Sequence, residues 1–191
     1  MKSYLIAFIV AAFMAVSSAD AQNINFGVKG GLNVYNLEGN SNSDFDSKIG
    51  VNFGVLGQTQ LNEFFSLQPE IVYSKQGAKS GGTKIKLDYI NVPVLIQYMF
   101  DNGFRLQSGP QLSFMMNAEG ENNGSTLNLE ENYKSMDLGF SIGGSYLHTA
   151  NGFGIDVRYN HGLSDISESS SVKSYNRGFE VGVFYLFNNS N

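Results

Sequence analysis

The sequence predicts an all-β chain folded as an eight-stranded antiparallel up-and-down transmembrane β-barrel. Three observations carry this. Apolar residues recur every second position in eight successive stretches, so each stretch has one greasy face and one polar or small-residue face. Charged residues make up only 15% of the chain, against about 25% in an average soluble domain, while 15 Phe, 10 Tyr and 22 Gly are present. Connections after the second, fourth and sixth stretches are short and those after the first, third, fifth and seventh are long, the pattern of a barrel with short turns at one rim and loops at the other.

Strand 1 spans Asn25 to about Leu37, with Phe26, Val28, Leu32 and Val34 outward and Lys29, Gly31, Asn33 and Tyr35 inward. Strand 2, Ile49 to Leu61, sets Val51, Phe53 and Val55 against Gly50, Asn52, Gly54 and Gln58. Strand 3, Phe65 to about Ala78, turns Leu67, Ile71 and Tyr73 out and Gln68, Glu70, Ser74 and Gln76 in. Strand 4 follows a loop at Lys79–Lys84 and ends at Phe100. Its outer parity is Ile90, Val92, Val94, Ile96 and Tyr98, and its inner face, with Tyr89, Leu95 and Met99, is less polar than elsewhere. Asp101-Asn102-Gly103 marks a tight turn. Strand 5 carries Phe104, Leu106, Leu112, Phe114 and Met116 outward, and the longest loop is expected at Asn117–Lys134. Strands 6 and 7, Met136–Leu147 and from Phe153 through Asn160, show the same alternation. The final strand, Gly178–Phe187, has Phe179, Val181, Val183, Tyr185 and Phe187 on one face and Gly178, Glu180 and Gly182 on the other. All three prolines, Pro69, Pro93 and Pro110, fall inside strands, where each removes a ladder donor, so bulges or kinks are expected there.

Residues 1–21 have the form of an export signal: Lys2, the apolar run Tyr4–Val16, and Ala19-Asp20-Ala21 before the cleavage point. That leaves 22–191 as a single barrel domain. A soluble barrel would exchange the faces and load the polar one with Lys and Glu, whereas here it is mostly Gly, Ser, Asn and Gln, as a cramped interior requires. The net charge of −5 and the absence of basic clusters argue against a nucleic-acid partner, and with no cysteine there is no disulfide framework.

The expected location is the outer membrane, with lipid as the surrounding partner, termini periplasmic and long loops extracellular. Phe64, Phe65, Phe100, Phe104, Phe153, Tyr185 and Phe187 fall beside the short turns or at the chain end, where an interfacial aromatic girdle belongs. Lys29, Glu70, Arg105, Asp137, Asp156, Arg158 and Glu180 have inward parity. An unpaired charge inside so narrow a barrel is costly, so the expectation is a lumenal network of Arg158 with Glu180 and Lys29, with Glu70 reaching across.

For outer-wall catalysis the candidates are His161, Ser164 and Glu168, but 161 and 164 differ in parity, and no nucleophile elbow or zinc spacing is present. His148 sits in a turn without an evident partner. The acidic loop residues Asp44, Asp46, Glu119, Glu121, Glu130 and Glu131 lack the spacing of a calcium loop. Asn123-Gly124-Ser125 matches a glycosylation acceptor, which carries little weight in a chain expected to lie in an outer membrane. The reading is a non-enzymatic barrel without cofactor or metal, structural, adhesive or accessory in role, with a narrow or closed lumen. The alternatives are a porin-like or secretion-accessory barrel and an enzyme acting on outer-leaflet lipid.

Several stretches resemble the PorT-like outer-membrane β-barrel family common in Bacteroidetes. They are Gly27-Val28-Lys29-Gly30-Gly31-Leu32-Asn33, Leu67-Gln68-Pro69-Glu70-Ile71-Val72-Tyr73-Ser74, Leu87-Asp88-Tyr89-Ile90-Asn91-Val92-Pro93, Gly109-Pro110 and Asp156 through Leu163. The resemblance implies an eight-stranded barrel in the outer membrane. It also implies recognition of the Tyr185-x-Phe187 end by the β-barrel assembly machinery, and the tail Asn188–Asn191 departs from that pattern. The family's namesake takes part in the type IX secretion pathway. A surface or periplasmic protein partner is left open.

Overall fold

The computed structural model describes residues 24–39, 46–80, 82–122, 124–169 and 173–187. The expected signal segment 1–21, Asp44, Asn123 and the tail 188–191 lie outside the described residues. Among the described residues nine strands form: β1 (Ile24–Gly39), β2 (Asp46–Gln60), β3 (Phe65–Ser80), β4 (Thr83–Met99), β5 (Phe104–Asn122), β6 (Ser125–Asn128), β7 (Met136–His148), β8 (Phe153–Gly162) and β9 (Ser174–Leu186). Each pairs antiparallel with its neighbour in sequence, except that β7 pairs with β5, and β9 pairs back onto β1. Eight strands therefore close into an up-and-down barrel with no free edge, and β6 adds a short hairpin arm to β5.

The alternation holds around the wall. Phe26, Phe53, Leu106, Ile142, Ile155, Phe179 and Val183 are exposed on the outside, and Lys29, Asn33, Gln68, Glu70, Ser141, Arg158 and Glu180 are buried inside. In β4, Tyr89 and Leu95 are fully buried, so its less polar face is interior. Phe114 departs from its expected outward exposure: it is buried between its cross-strand partners Ile90 and Met136.

Three expectations change. The loop placed at Lys79–Lys84 is largely strand, since β3 runs to Ser80 and β4 begins at Thr83, with Gly82 at φ +87°. Most of the loop expected at Asn117–Lys134 is likewise strand, since β5 runs to Asn122, turns at Gly124 (φ +81°) and returns as β6. The polar composition of these stretches reflects exposure to water above the barrel rim; they still pair. Connection lengths consequently alternate less than the sequence implied, because β3, β4 and β5 themselves project beyond the rim.

The prolines leave register intact. Pairing is interrupted between Pro69↔Val94 and Val72↔Asn91, and between Pro93↔Gln111 and Ile96↔Ser108, with the same register on either side. Pro110 pairs with Phe140 in an unbroken β5–β7 ladder. A missing N–H deletes a rung without inserting a residue, so the strand need not bulge. The true register shifts lie between Ser47 and Asn52 and between Asp88 and Tyr89.

The basic residues do cluster. Register places Lys79 opposite Lys84 and Lys75 opposite Asp88, and Lys75, Lys79, Lys84 and Lys86 share the outer wall of β3–β4 at the long-loop end. Asp46, Asp88, Glu119 and Glu121 interleave with them, and Lys86 pairs with Glu121 at 2.5 Å. Cross-strand pairing assembles what the linear spacing dispersed.

Two lumen-facing glycines make room for aromatic rings. A Cβ at Gly178 would strike the ring of Tyr35, and one at Gly154 would strike the ring of Phe184. Gly178→Val should therefore displace Tyr35 and destabilise the barrel by about 1–3 kcal/mol. The measurement is the temperature at which the folded, fast-migrating band is lost on gels, which falls relative to the parent chain.

Candidate functional site

The lumen is filled in layers. Toward the short-turn end, Leu56, Leu147, Phe184 and Leu186 form a buried apolar cluster. Beside it Gln97 donates to Gln68 (3.0 Å) and Gln107 (2.8 Å) and accepts from Gln58 (2.7 Å) and Ser66 (3.1 Å). Arg105 reaches the same Gln97 oxygen at 3.4 Å, so the structure places Arg105 in the glutamine layer, with no carboxylate among its described partners.

The middle layer is ionic. Glu70 accepts from both terminal nitrogens of Arg158, Nη1 to Oε2 at 3.0 Å and Nη2 to Oε1 at 2.9 Å, and from Lys29 Nζ at 3.2 Å and Gln68 Nε2 at 2.8 Å. Asp156 Oδ2 lies 3.3 Å from Lys29 Nζ and 3.2 Å from Arg158 Nη2. Two cations and two carboxylates thus alternate in a ring of strands β1, β3 and β8.

This ring differs from the expected pairing. Glu70 is the hub, Asp156 the second acid, and Glu180 instead accepts from the Tyr35 hydroxyl at 3.0 Å, although it stands beside Arg158 in the β8–β9 register. Asn160 donates to the same Tyr35 oxygen at 2.8 Å. Parity could locate all these side chains inside but could not rank distances across the lumen. Tyr35, Gln68 and Asn160, which complete the layer, lacked a charge to draw attention to them.

Asp137 stands apart near the long-loop end, accepting from Ser164 Oγ at 2.7 Å. Above it lies a second buried apolar cluster of Leu37, Ala78, Leu87, Tyr89, Ala118 and Ile166. Ile166 comes from the β8–β9 loop, which is pinned over the opening. Ile166 N donates to Ser174 O at 2.8 Å and Lys134 N to Ile166 O at 2.8 Å. Asp165 Oδ1 accepts from the backbone N–H of Ser167 and Ser174, which holds its carboxyl below the ordinary carboxylate range.

The seven expected girdle residues sit at the short-turn rim. Phe64, Phe65 and Phe100 pack on Tyr98, Phe104 packs on Tyr146, and Tyr185 bridges Phe153 and Phe187. Tyr98 and Tyr146 complete the belt and were legible only as ordinary outward positions. His161 is engaged with the Tyr159 hydroxyl at 3.2 Å, and Ser164 with Asp137 and the Leu138 N–H.

The chain matches the model of the outer membrane protein beta-barrel domain over residues 20–168. The chain belongs to this family. It is an integral outer-membrane barrel, and its apolar outer wall faces lipid. Among solved structures it is similar to Neisserial surface protein A, with 20% identity and a TM-score of 0.63 over 87% of this chain and 100% of that one. It also resembles Ail of Yersinia pestis, at 14% identity and TM-score 0.57 over 87% and 100%. OprG of Pseudomonas aeruginosa follows at 11% identity and TM-score 0.50, covering 86% and 96%. At these identities the likeness is one of fold. No curated protein matches the chain.

Glu70→Ala should lower stability by about 3–5 kcal/mol, because it leaves Lys29 and Arg158 buried without their shared acid; urea unfolding in detergent micelles measures this. Acid should release the β8–β9 loop first. Asp165 has a depressed pKa in the folded chain, so its contribution is present above the ordinary carboxylate range and is lost as pH falls through the folded value. Protease cleavage within 163–173 should rise on acidification, and Asp165→Ala should be cleaved readily at neutral pH.

Proposed function

We propose that this barrel is a non-enzymatic outer-membrane anchor whose lumen does not conduct, and that it presents its long-loop end to the outside with both termini in the periplasm. The observation that carries this reading is the filled interior. The Lys29–Glu70–Arg158–Asp156 ring lies between a Leu56/Leu147/Phe184/Leu186 cluster and a Leu37/Ala78/Leu87/Tyr89/Ala118/Ile166 cluster. A barrel of eight strands has room for side chains and little else. Its activity is then carried by what projects: the β3–β4–β5–β6 sheet and the β8–β9 loop, suited to a structural, adhesive or accessory role. The orientation is supported by the short turns at one rim and the projecting strands at the other. Insertion by the β-barrel assembly machinery, and a PorT-like place within the family, belong to the same reading.

A secretion-accessory role is the second reading, favoured by the exposed edge of β6, which pairs with β5 on one side. Planar-bilayer recording tests the sealed lumen. We expect no steady conductance, and a steady conductance that changes in Glu180→Gln overturns the reading. Pull-down in mild detergent should return the barrel without a stoichiometric secretion complex, and lipid A mass should be the same with and without the protein.

A further inference from the structure

We propose that the outer part of the lumen holds a binding site for one small monovalent cation, of the sodium or potassium class, built from Asp137, Asn91, Tyr89 and Ser113. Asn91 pairs with Ser113 across β4–β5, and Ser113 pairs with Asp137 across β5–β7, so three inward side chains stand in one row. Tyr89 lies two residues further along β4 on the same face. All four are buried, with exposures of 0% for Tyr89, 1% for Asn91, 3% for Ser113 and 4% for Asp137.

Two features of this row call for a ligand. Asp137 takes part in none of the ion pairs formed among the described residues: its partner is the neutral Ser164 hydroxyl, whereas Glu70 and Asp156 meet Lys29 and Arg158. A buried carboxylate without a counter-charge is costly. Beside it, the Tyr89 hydroxyl and both polar atoms of the Asn91 amide are buried without a hydrogen-bond partner. Buried polar groups of this kind are rarely left unmatched.

The donor set selects the ligand. It offers one carboxylate and several neutral oxygens: Asn91 Oδ1, Tyr89 Oη, Ser113 Oγ and Ser164 Oγ. Hard oxygen ligands suit alkali and alkaline-earth ions. One negative charge balances one positive charge, and no group of three or more His, Cys, Asp or Glu capable of holding a metal exists among the described residues. A divalent ion would leave excess charge in a low-dielectric pocket, so a monovalent one is favoured. Ser164 ties the site to the start of the β8–β9 loop, and the apolar cluster above excludes bulk water.

The test uses the full chain in detergent micelles, with sodium, potassium or choline chloride at equal ionic strength. Sodium or potassium should raise the unfolding temperature along a single-site saturation curve and should slow protease cleavage within 163–173, while choline does neither. Asp137→Asn should abolish the response. Tyr89→Phe, which keeps the ring in the apolar cluster, should raise the half-saturating concentration at least tenfold, and it decides the matter if Asp137→Asn fails to fold. Identical unfolding in choline and alkali salts overturns the site. So does a half-saturating concentration unchanged in Tyr89→Phe, or a stability that follows pH alone, which would mean that Asp137 is held as the neutral acid.

Discussion

The bidentate bond between Arg158 and Glu70, with Lys29 on the same carboxylate, is the constraint around which the interior is arranged. It joins β8 to β3 across the lumen, between strands that never meet in the wall. Ladder hydrogen bonds fix each strand to its two neighbours but leave the cross-section free to flatten. A cross-lumen ion pair, fully buried and completed by Gln68 and Asp156, opposes that deformation. Because both partners would be costly alone, the ring is all-or-none. Loss of any member exposes the rest to an interior that cannot solvate them.

The layers above and below follow from the same economy of space. Glycines at 154 and 178 let Phe184 and Tyr35 lie flat against the wall, and Tyr35 then delivers its hydroxyl to Glu180. Toward each mouth the inward positions turn apolar. Such clusters exclude water from the ring, and exclusion of water strengthens the ring in turn. The interior is a packed core with polar contents, surrounded by lipid where a soluble protein would meet water.

Exposed charge is concentrated at the rim. The lysines and carboxylates of β2–β5 interdigitate on the outer wall where it leaves the hydrocarbon, and the strands continue as a water-exposed sheet. There, neighbouring strands rather than neighbouring residues decide which charges meet, as Lys86 and Glu121 do across β4 and β5.

The period of two was sufficient to determine, from sequence alone, the number of strands in the barrel wall, the two faces and the inward set that includes Lys29, Glu70, Arg158 and Glu180, because strand parity is a local property. It also located the aromatic rim, since Phe64, Phe100 and Phe153 lie beside turns that composition marks. Tertiary structure alone decided which inward charges touch. Partnership across a lumen depends on shear and closure, and neither is written in any one strand. It likewise decided that polar stretches near Lys79 and Asn117 are strand, that Pro69 and Pro93 drop rungs without shifting register, and that Ile166 enters the upper apolar cluster. Each of these depends on what a distant segment supplies: a pairing partner, an unbroken ladder on the far side, or an apolar cavity to enter.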